Sequence, residues 1–183
     1  MKIRTMKNAA IFWCTGLSGA GKTTLSLRAK KKLVASGFGV RILDGDTVRD
    51  AYEVKLGFGR KDIEKNNTNI VKTCEDEREN YDILIVPVIS PIDCFRKMAR
   101  KKLEPRFYLI YLSSSIDSLK KRDPKGLYAK ADRGEINDLI GYSENNPYEI
   151  PLDADLKIDT SSSATLESSV ETIVEFIKEN SSR

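Results

Sequence analysis

The run Gly16-Leu17-Ser18-Gly19-Ala20-Gly21-Lys22-Thr23 spells G-x-x-x-x-G-K-T, a spacing suited to holding phosphate. Glycines let such a loop turn so that successive backbone N–H groups face one anion. A helix opening at its end adds partial positive charge. In that arrangement Lys22 would reach the β- and γ-phosphates and the Thr23 hydroxyl would hold Mg²⁺. A chance match in a Gly/Ser loop is judged by context, because the motif must follow a strand and open a helix. Ala9 to Thr15 is a short apolar run that reads as a buried strand. Thr24 to Ala35 carries Leu25, Leu27 and Leu33 with no Gly or Pro, and reads as a helix. A nucleoside triphosphate is the expected ligand.

Two further polar sets directly follow apolar runs. Asp44 and Asp46 flank Gly45 after Val40-Arg41-Ile42-Leu43, and Ser90-Pro91 follows Ile83 to Ile89. Two carboxylates two residues apart can divide the work of phosphoryl transfer. One orients Mg²⁺ waters while the other accepts a hydroxyl proton or aligns the nucleophile. An Asx turn at Asp-Gly would use the same residues for local structure alone, and Ser90 before Pro91 reads first as a turn residue.

Strand-like and helix-like segments that would position these groups alternate along the chain. After the first strand come strands at Val40–Leu43, Ile83–Ile89, Phe107–Leu112 and Asp155–Asp159, a polar helix over 61–80, and a terminal helix from about Leu166 to Lys178. Pro87 cannot donate to a ladder and should lie near its strand's end or at a bulge. The rhythm implies an α/β fold with a parallel sheet covered by helices on both faces, and ligands at the carboxyl ends of the strands. Residues 123–151 interrupt it with Gly126, Gly134, Gly141 and Pro147. That stretch is long for a connection. It reads either as a surface loop or as a lid that excludes water from the reaction.

At 183 residues and 40% hydrophobic content, the chain is expected to form a single domain, residues 1–183, with a sizeable core. The net charge of +4 is modest and dispersed, and Lys30-Lys31-Lys32 reads as a solvated helix face, so nucleic acid is not an expected partner. No histidine is present, which removes a Ser-His-Asp triad and any His-ligated metal. Cys14, Cys74 and Cys94 form no C-x-x-C pair and read as reduced thiols. No apolar run suits a membrane span or a signal peptide's core, so the expected location is cytoplasmic.

Taken together, the motifs resemble those of adenylylsulfate (APS) kinases, P-loop enzymes that phosphorylate the ribose 3′-hydroxyl of adenosine 5′-phosphosulfate. The markers are Gly16 to Thr24, Leu43-Asp44-Gly45-Asp46 with Arg49, Leu56-Gly57-Phe58, Asp62, Asn66 and Ile89-Ser90-Pro91. The most discriminating are Arg122-Asp123-Pro124-Lys125-Gly126-Leu127-Tyr128 and Pro147-Tyr148-Glu149-x-Pro151. The resemblance implies a five-stranded sheet of order 2-3-1-4-5 with a lid at about 123–151. It implies that Gly16, Leu17, Ser18, Gly19, Ala20, Gly21, Lys22, Thr23, Thr24 and Arg122 bind ATP, with Thr23 and Asp44 at Mg²⁺. Lys22, Asp46 and Lys125 would be catalytic. Asp44, Asp46, Arg49, Phe58, Asn66, Ile89, Ser90, Lys125, Gly126, Leu127 and Leu139 would hold the acceptor, Phe58 by stacking on its base. The partners implied are ATP and a small anionic nucleotide, with a homodimer as the candidate assembly.

The departures fall on the acceptor side. Ile63 stands where the family usually has Arg, Leu139 where it has Phe, Ile92-Asp93 where it has Tyr-Arg, and Thr47 where it has Asn; the family's N-terminal Trp-His lead is absent. A hydrogen bond to a charged group is worth about 1.5–3 kcal/mol and an aromatic–base stack about 1–3 kcal/mol. Losing both would weaken acceptor binding roughly 10²–10⁴-fold, unless Arg60, Lys61 or Leu139 compensates. Two alternatives stay open beside APS phosphorylation: the same chemistry on another small nucleotide, such as cytidine diphosphoramidate, and an inactive nucleotide-binding regulator. Intact Lys22, Thr23, Asp44, Asp46 and Lys125 argue against the last.

Overall fold

The computed structural model describes residues 8–53, 56–161 and 165–181. Five strands form one parallel sheet: β1 (Ala10–Thr15), β2 (Val40–Ile42), β3 (Ile83–Pro87), β4 (Phe107–Ser113) and β5 (Leu156–Asp159). Their spatial order is β2-β3-β1-β4-β5, as the family resemblance implies. The central strand β1 is buried at every position, and the alternation of side chains along it builds two cores. Ala10, Phe12 and Cys14 face the layer of α1 (Lys22–Ala35) and α7 (Leu166–Ser181). Ile11 and Trp13 face Ile70, Val71 and Cys74 of α3 (Arg60–Glu77) and Ala99 and Leu103 of α4 (Asp93–Leu103). A strand buried on both faces must be apolar throughout, which is why β1 and β3 read so clearly.

Pro87 ends β3, where its missing N–H breaks no ladder bond. The helix after the phosphate loop starts at Lys22, two residues earlier than the leucine pattern indicates, because Gly21 supplies a left-handed N-cap at φ 91°. Short helices fill the connections: α2 (Gly45–Asp50), α5 (Ile116–Arg122) and α6 (Leu127–Asp132). The lysine run on α1 is only partly solvated. Lys32 crosses to α7 and pairs with Glu167 at 2.8 Å and with Glu171. Among the described residues, no helix is long and apolar enough to cross a membrane.

Gly16 joins β1 to the phosphate loop at φ 153°, and a Cβ there would lie 2.6 Å from the Leu112 carbonyl oxygen of β4. Gly16→Ala is therefore expected to spread β1 from β4 at a cost of about 1–3 kcal/mol. Thermal unfolding should show a Tm lowered by several degrees. An unchanged Tm would mean the loop moves aside freely.

Candidate active site

Gly19 (φ 75°) and Gly21 (φ 91°) turn residues 16–21 over the end of β1. The Lys22 side chain folds back into this loop, where Nζ donates to the carbonyls of Gly16 and Leu17, each at 2.9 Å. Withdrawal from water lowers its pKa to about 8, against the opposing pull of the Asp46 and Asp44 carboxylates. The Thr23 hydroxyl donates to Asp44 Oδ2 at 2.8 Å. Asp44 is also the N-cap of α2, its Oδ1 accepting the Asp46 N–H at 2.9 Å. The Asx turn and the polar site thus use one carboxylate, one oxygen each. Asp46 projects from the first turn of α2 and pairs with Lys125 Nζ at 2.8 Å, across 79 positions of sequence. Both groups are exposed, so the contact itself adds little stability. Its interest is that it joins the β2 end to the segment after α5.

These groups line one open cleft of about 1060 Å³ at the carboxyl ends of the strands. Ser18 to Thr24 form one wall, with Arg122 and Leu127 beyond them. Asp44, Asp46, Arg49, Phe58, Ile89, Lys125 and Leu139 form the rest of the predicted set inside it. Gly16 and Leu17 act through their carbonyls on Lys22. Gly126 caps α6 at φ 64° and does not line the cleft. Asn66 and Ser90 lie instead in a small adjoining recess of about 30 Å³, which shares Asp46, Arg49, Phe58 and Ile89 with the cleft. Both are buried, and neither Asn66 Oδ1 nor Ser90 Oγ has a hydrogen-bond partner within the protein. Asn67, whose Oδ1 is likewise unpartnered, lines the same recess. Buried polar atoms without partners mark a place for water or a ligand.

Several lining residues carry no sequence motif. Thr160 and Ser161 follow β5, and Thr165, Leu166 and Ser169 open α7. Only their place after a parallel strand could have flagged them. At the other wall, Arg49 donates to the carbonyl of Gly57 at 2.6 Å and stacks its guanidinium 5.1 Å from the Phe58 ring centre.

Residues 8–159 match the family described as adenylylsulphate kinase. The chain belongs to this family. A probable adenylyl-sulfate kinase of Pyrococcus abyssi is 42% identical over 167 residues, which cover 91% of this chain and 94% of that protein. The adenylyl-sulfate kinase of Staphylococcus epidermidis is 37% identical over 183 residues, covering 98% and 90%. The structure of the Mycobacterium tuberculosis APS kinase in complex with AMPPNP and APS superposes with a TM-score of 0.83 at 28% identity, covering 94% of this chain and 99% of that one.

Two of the departures from the family pattern, Leu139 and Ile63, sit differently. Leu139 is buried at the wall of the main cleft. Ile63 lines the recess but packs in an apolar cluster with Ile92, Phe95 and Ile140. Arg60 does not replace the charge expected there, since its guanidinium lies over the Phe95 ring, 5.3 Å from the centre, and donates to Cys94 Sγ. Arg60 and Lys61 line neither the cleft nor the recess.

A phosphate-binding Lys22 works only as the ammonium. As pH rises through about 8 the free protein should lose that proton, so kcat/KM for ATP should fall there. Bound phosphates favour the charged form, and kcat should hold to higher pH. A pH–rate profile separates the two parameters. A kcat/KM flat to about pH 10, the ordinary lysine range, would mean that burial does not deprotonate Lys22.

Proposed function

We propose that the chain transfers the γ-phosphoryl group of ATP to the ribose 3′-hydroxyl of adenosine 5′-phosphosulfate, giving ADP and 3′-phosphoadenosine 5′-phosphosulfate. The observation that carries the reading is the convergence of Lys22, Asp46 and Lys125 on one cleft between the phosphate loop and an acceptor wall of Phe58, Ile89 and Leu139. Phosphoryl transfer requires little covalent chemistry from the protein. It requires alignment and neutralisation of charge on the transferred group.

In this reading the backbone N–H groups of residues 16–21 and the N-terminus of α1 hold the β- and γ-phosphates. Lys22 exchanges its two carbonyl partners for phosphate oxygens, a gain because the acceptor is then charged. Thr23 and Asp44 offer hard oxygen donors beside that site, which fit Mg²⁺ with its water and phosphate ligands; the bound ion supplies charge neutralisation on the β- and γ-phosphates. Asp46 accepts the proton of the attacking hydroxyl or aligns it. Lys125 faces Asp46 and steadies charge on the phosphoryl group. Arg122, held by the Ser114 hydroxyl at 2.7 Å, flanks the nucleotide end. Arg49 and Phe58 meet the acceptor's anionic group and base, Arg49 through its planar fork. The orphaned Asn66 and Ser90 offer polar partners in the recess. With the whole activity in one cleft, we read residues 1–183 as a single kinase domain.

Asp46→Asn should lower kcat by about 10²-fold or more, the range of a general base, while AMPPNP binding measured by calorimetry changes little. Weakened nucleotide binding with normal kcat would move Asp46 to the donor side.

The acceptor is tested by steady-state assay of APS and cytidine diphosphoramidate side by side, with ATP and Mg²⁺. APS should give the higher kcat/KM, and Leu139→Phe should raise it further by restoring a stacking face, by up to about tenfold to hundredfold. Preference for the cytidine compound would reverse the acceptor assignment. No turnover of either, with ATP bound, would favour a regulator.

A further inference from the structure

Arg96 is one of the largest fully buried side chains, at 2% exposure, and it touches neither the cleft nor the recess. Burying a guanidinium is costly unless its N–H groups are used. Nη1 donates to the Ser90 carbonyl at 2.8 Å. Nη2 donates to the Glu149 carbonyl at 2.7 Å and to Asp93 Oδ1 at 3.1 Å. The guanidinium also lies 5.7 Å from the centre of the Tyr148 ring. Arg96 therefore joins two segments 59 positions apart: the turn after β3 and the end of the 123–151 stretch.

Both partners are places that need holding. Ser90, a non-glycine residue, has φ 41°, and such a conformation persists only when its surroundings impose it. Glu149 is bound to the same turn from its own side. Its N–H donates to the Pro91 carbonyl at 2.8 Å and its carboxylate accepts the Asp93 N–H at 2.6 Å. Thr15 donates its hydroxyl proton to the Ile89 carbonyl. The Tyr148 hydroxyl, 2.9 Å from Thr15 Oγ1, must then be the donor to it. Ile89 and Ser90 wall the cleft and the recess, so this network fixes the acceptor wall to the far end of the lid.

We propose that Arg96 is a positioning residue for the acceptor: by tying the Ser90 turn to the Tyr148–Glu149 end of the lid, it holds the acceptor wall in one geometry without touching either nucleotide. The proposal rests on the acceptor reading above. A lysine cannot reproduce three divergent hydrogen bonds from one planar group.

The test is Arg96→Lys in the full chain, with three readouts: KM for APS, calorimetric binding of AMPPNP, and amide hydrogen exchange. We expect KM for APS to rise about tenfold to hundredfold and AMPPNP affinity to stay within about twofold, since none of the hydrogen bonds of Arg96 goes to the phosphate loop. Exchange should quicken at the Asp93 and Glu149 amides and not at the amides of α1. An unchanged KM for APS, or equal weakening of both nucleotides, overturns the proposal. If Arg96→Lys does not fold, Asp93→Ala removes one partner and keeps the guanidinium. It should raise KM for APS at least threefold, and no change would overturn the proposal. If the wild type does not turn over APS, the acceptor reading fails by itself. The exchange pattern then decides whether Arg96 couples the two segments, and uniform exchange would refute it.

Discussion

An ammonium withdrawn from water needs oxygen around it, and that of Lys22 finds the carbonyls of Gly16 and Leu17. Those carbonyls face inward only because the loop turns through left-handed glycines at positions 19 and 21. The loop turns there only because β1 stops at the sheet's centre, with β3 and β4 on either side. The same closeness leaves no room for a side chain on Gly16 beside β4. One half-buried cation thus ties together the loop, the strand end and the start of α1. It also supplies a charge that gains when phosphate replaces a carbonyl as its partner.

In the proposed reaction the donor side is built from continuous sequence and the acceptor side is assembled from distant pieces. Phosphate-loop geometry is a property of residues 16–21 between β1 and α1 and of the first turn of that helix. The proposed acceptor wall draws Phe58 from the connection before α3, Ile89 from the turn after β3 and Leu139 from the segment after α6. Its precision therefore depends on tertiary contacts. The apolar cluster of Ile63, Ile92, Phe95 and Ile140 supplies part of that support, and Arg96 with its partners supplies the polar part. In the proposed assignment such a wall can change its base preference through single substitutions, because Phe58, Ile89 and Leu139 lie outside the phosphate loop.

This division also explains what was legible. The strands read directly, since a parallel sheet buried on both faces leaves uninterrupted apolar runs at 10–15, 83–87 and 107–113. The glycine-rich loop read directly because its chemistry needs consecutive residues. The Asp44 carboxylate showed why two readings of Asp-Gly-Asp were not rivals, since one oxygen caps α2 and the other meets Thr23. Arg96 gave no signal, because nothing in a sequence marks an arginine that will be buried against backbone carbonyls from two other segments. The residues after β5 were equally silent. Their place is set by the order of strands and not by their types. The departure at Ile63 was visible, but its packing in an apolar cluster, which removes Arg60 as a substitute, was not.

Water exclusion is the remaining demand on a phosphoryl-transfer site, and the structure limits which part of 123–151 can meet it by moving. At its start, Tyr128 is buried in the main core and its hydroxyl donates to the Ser18 carbonyl at 2.9 Å. At its end, Leu139 and Ile140 are buried, Gly141 lies against the Leu17 side chain, and Tyr148 and Glu149 are tied to Thr15, Pro91 and Arg96. Between these anchors, residues 129–138 are mostly exposed. A closing motion of the whole segment would have to break both anchors. A motion of the middle alone would leave Lys125 and Leu139 in place. Closure by the middle keeps the charged groups at fixed distances while the solvent boundary changes, the condition under which preorganised charges are most effective. Any closing motion of this segment is thus confined to the exposed stretch between two fixed anchors.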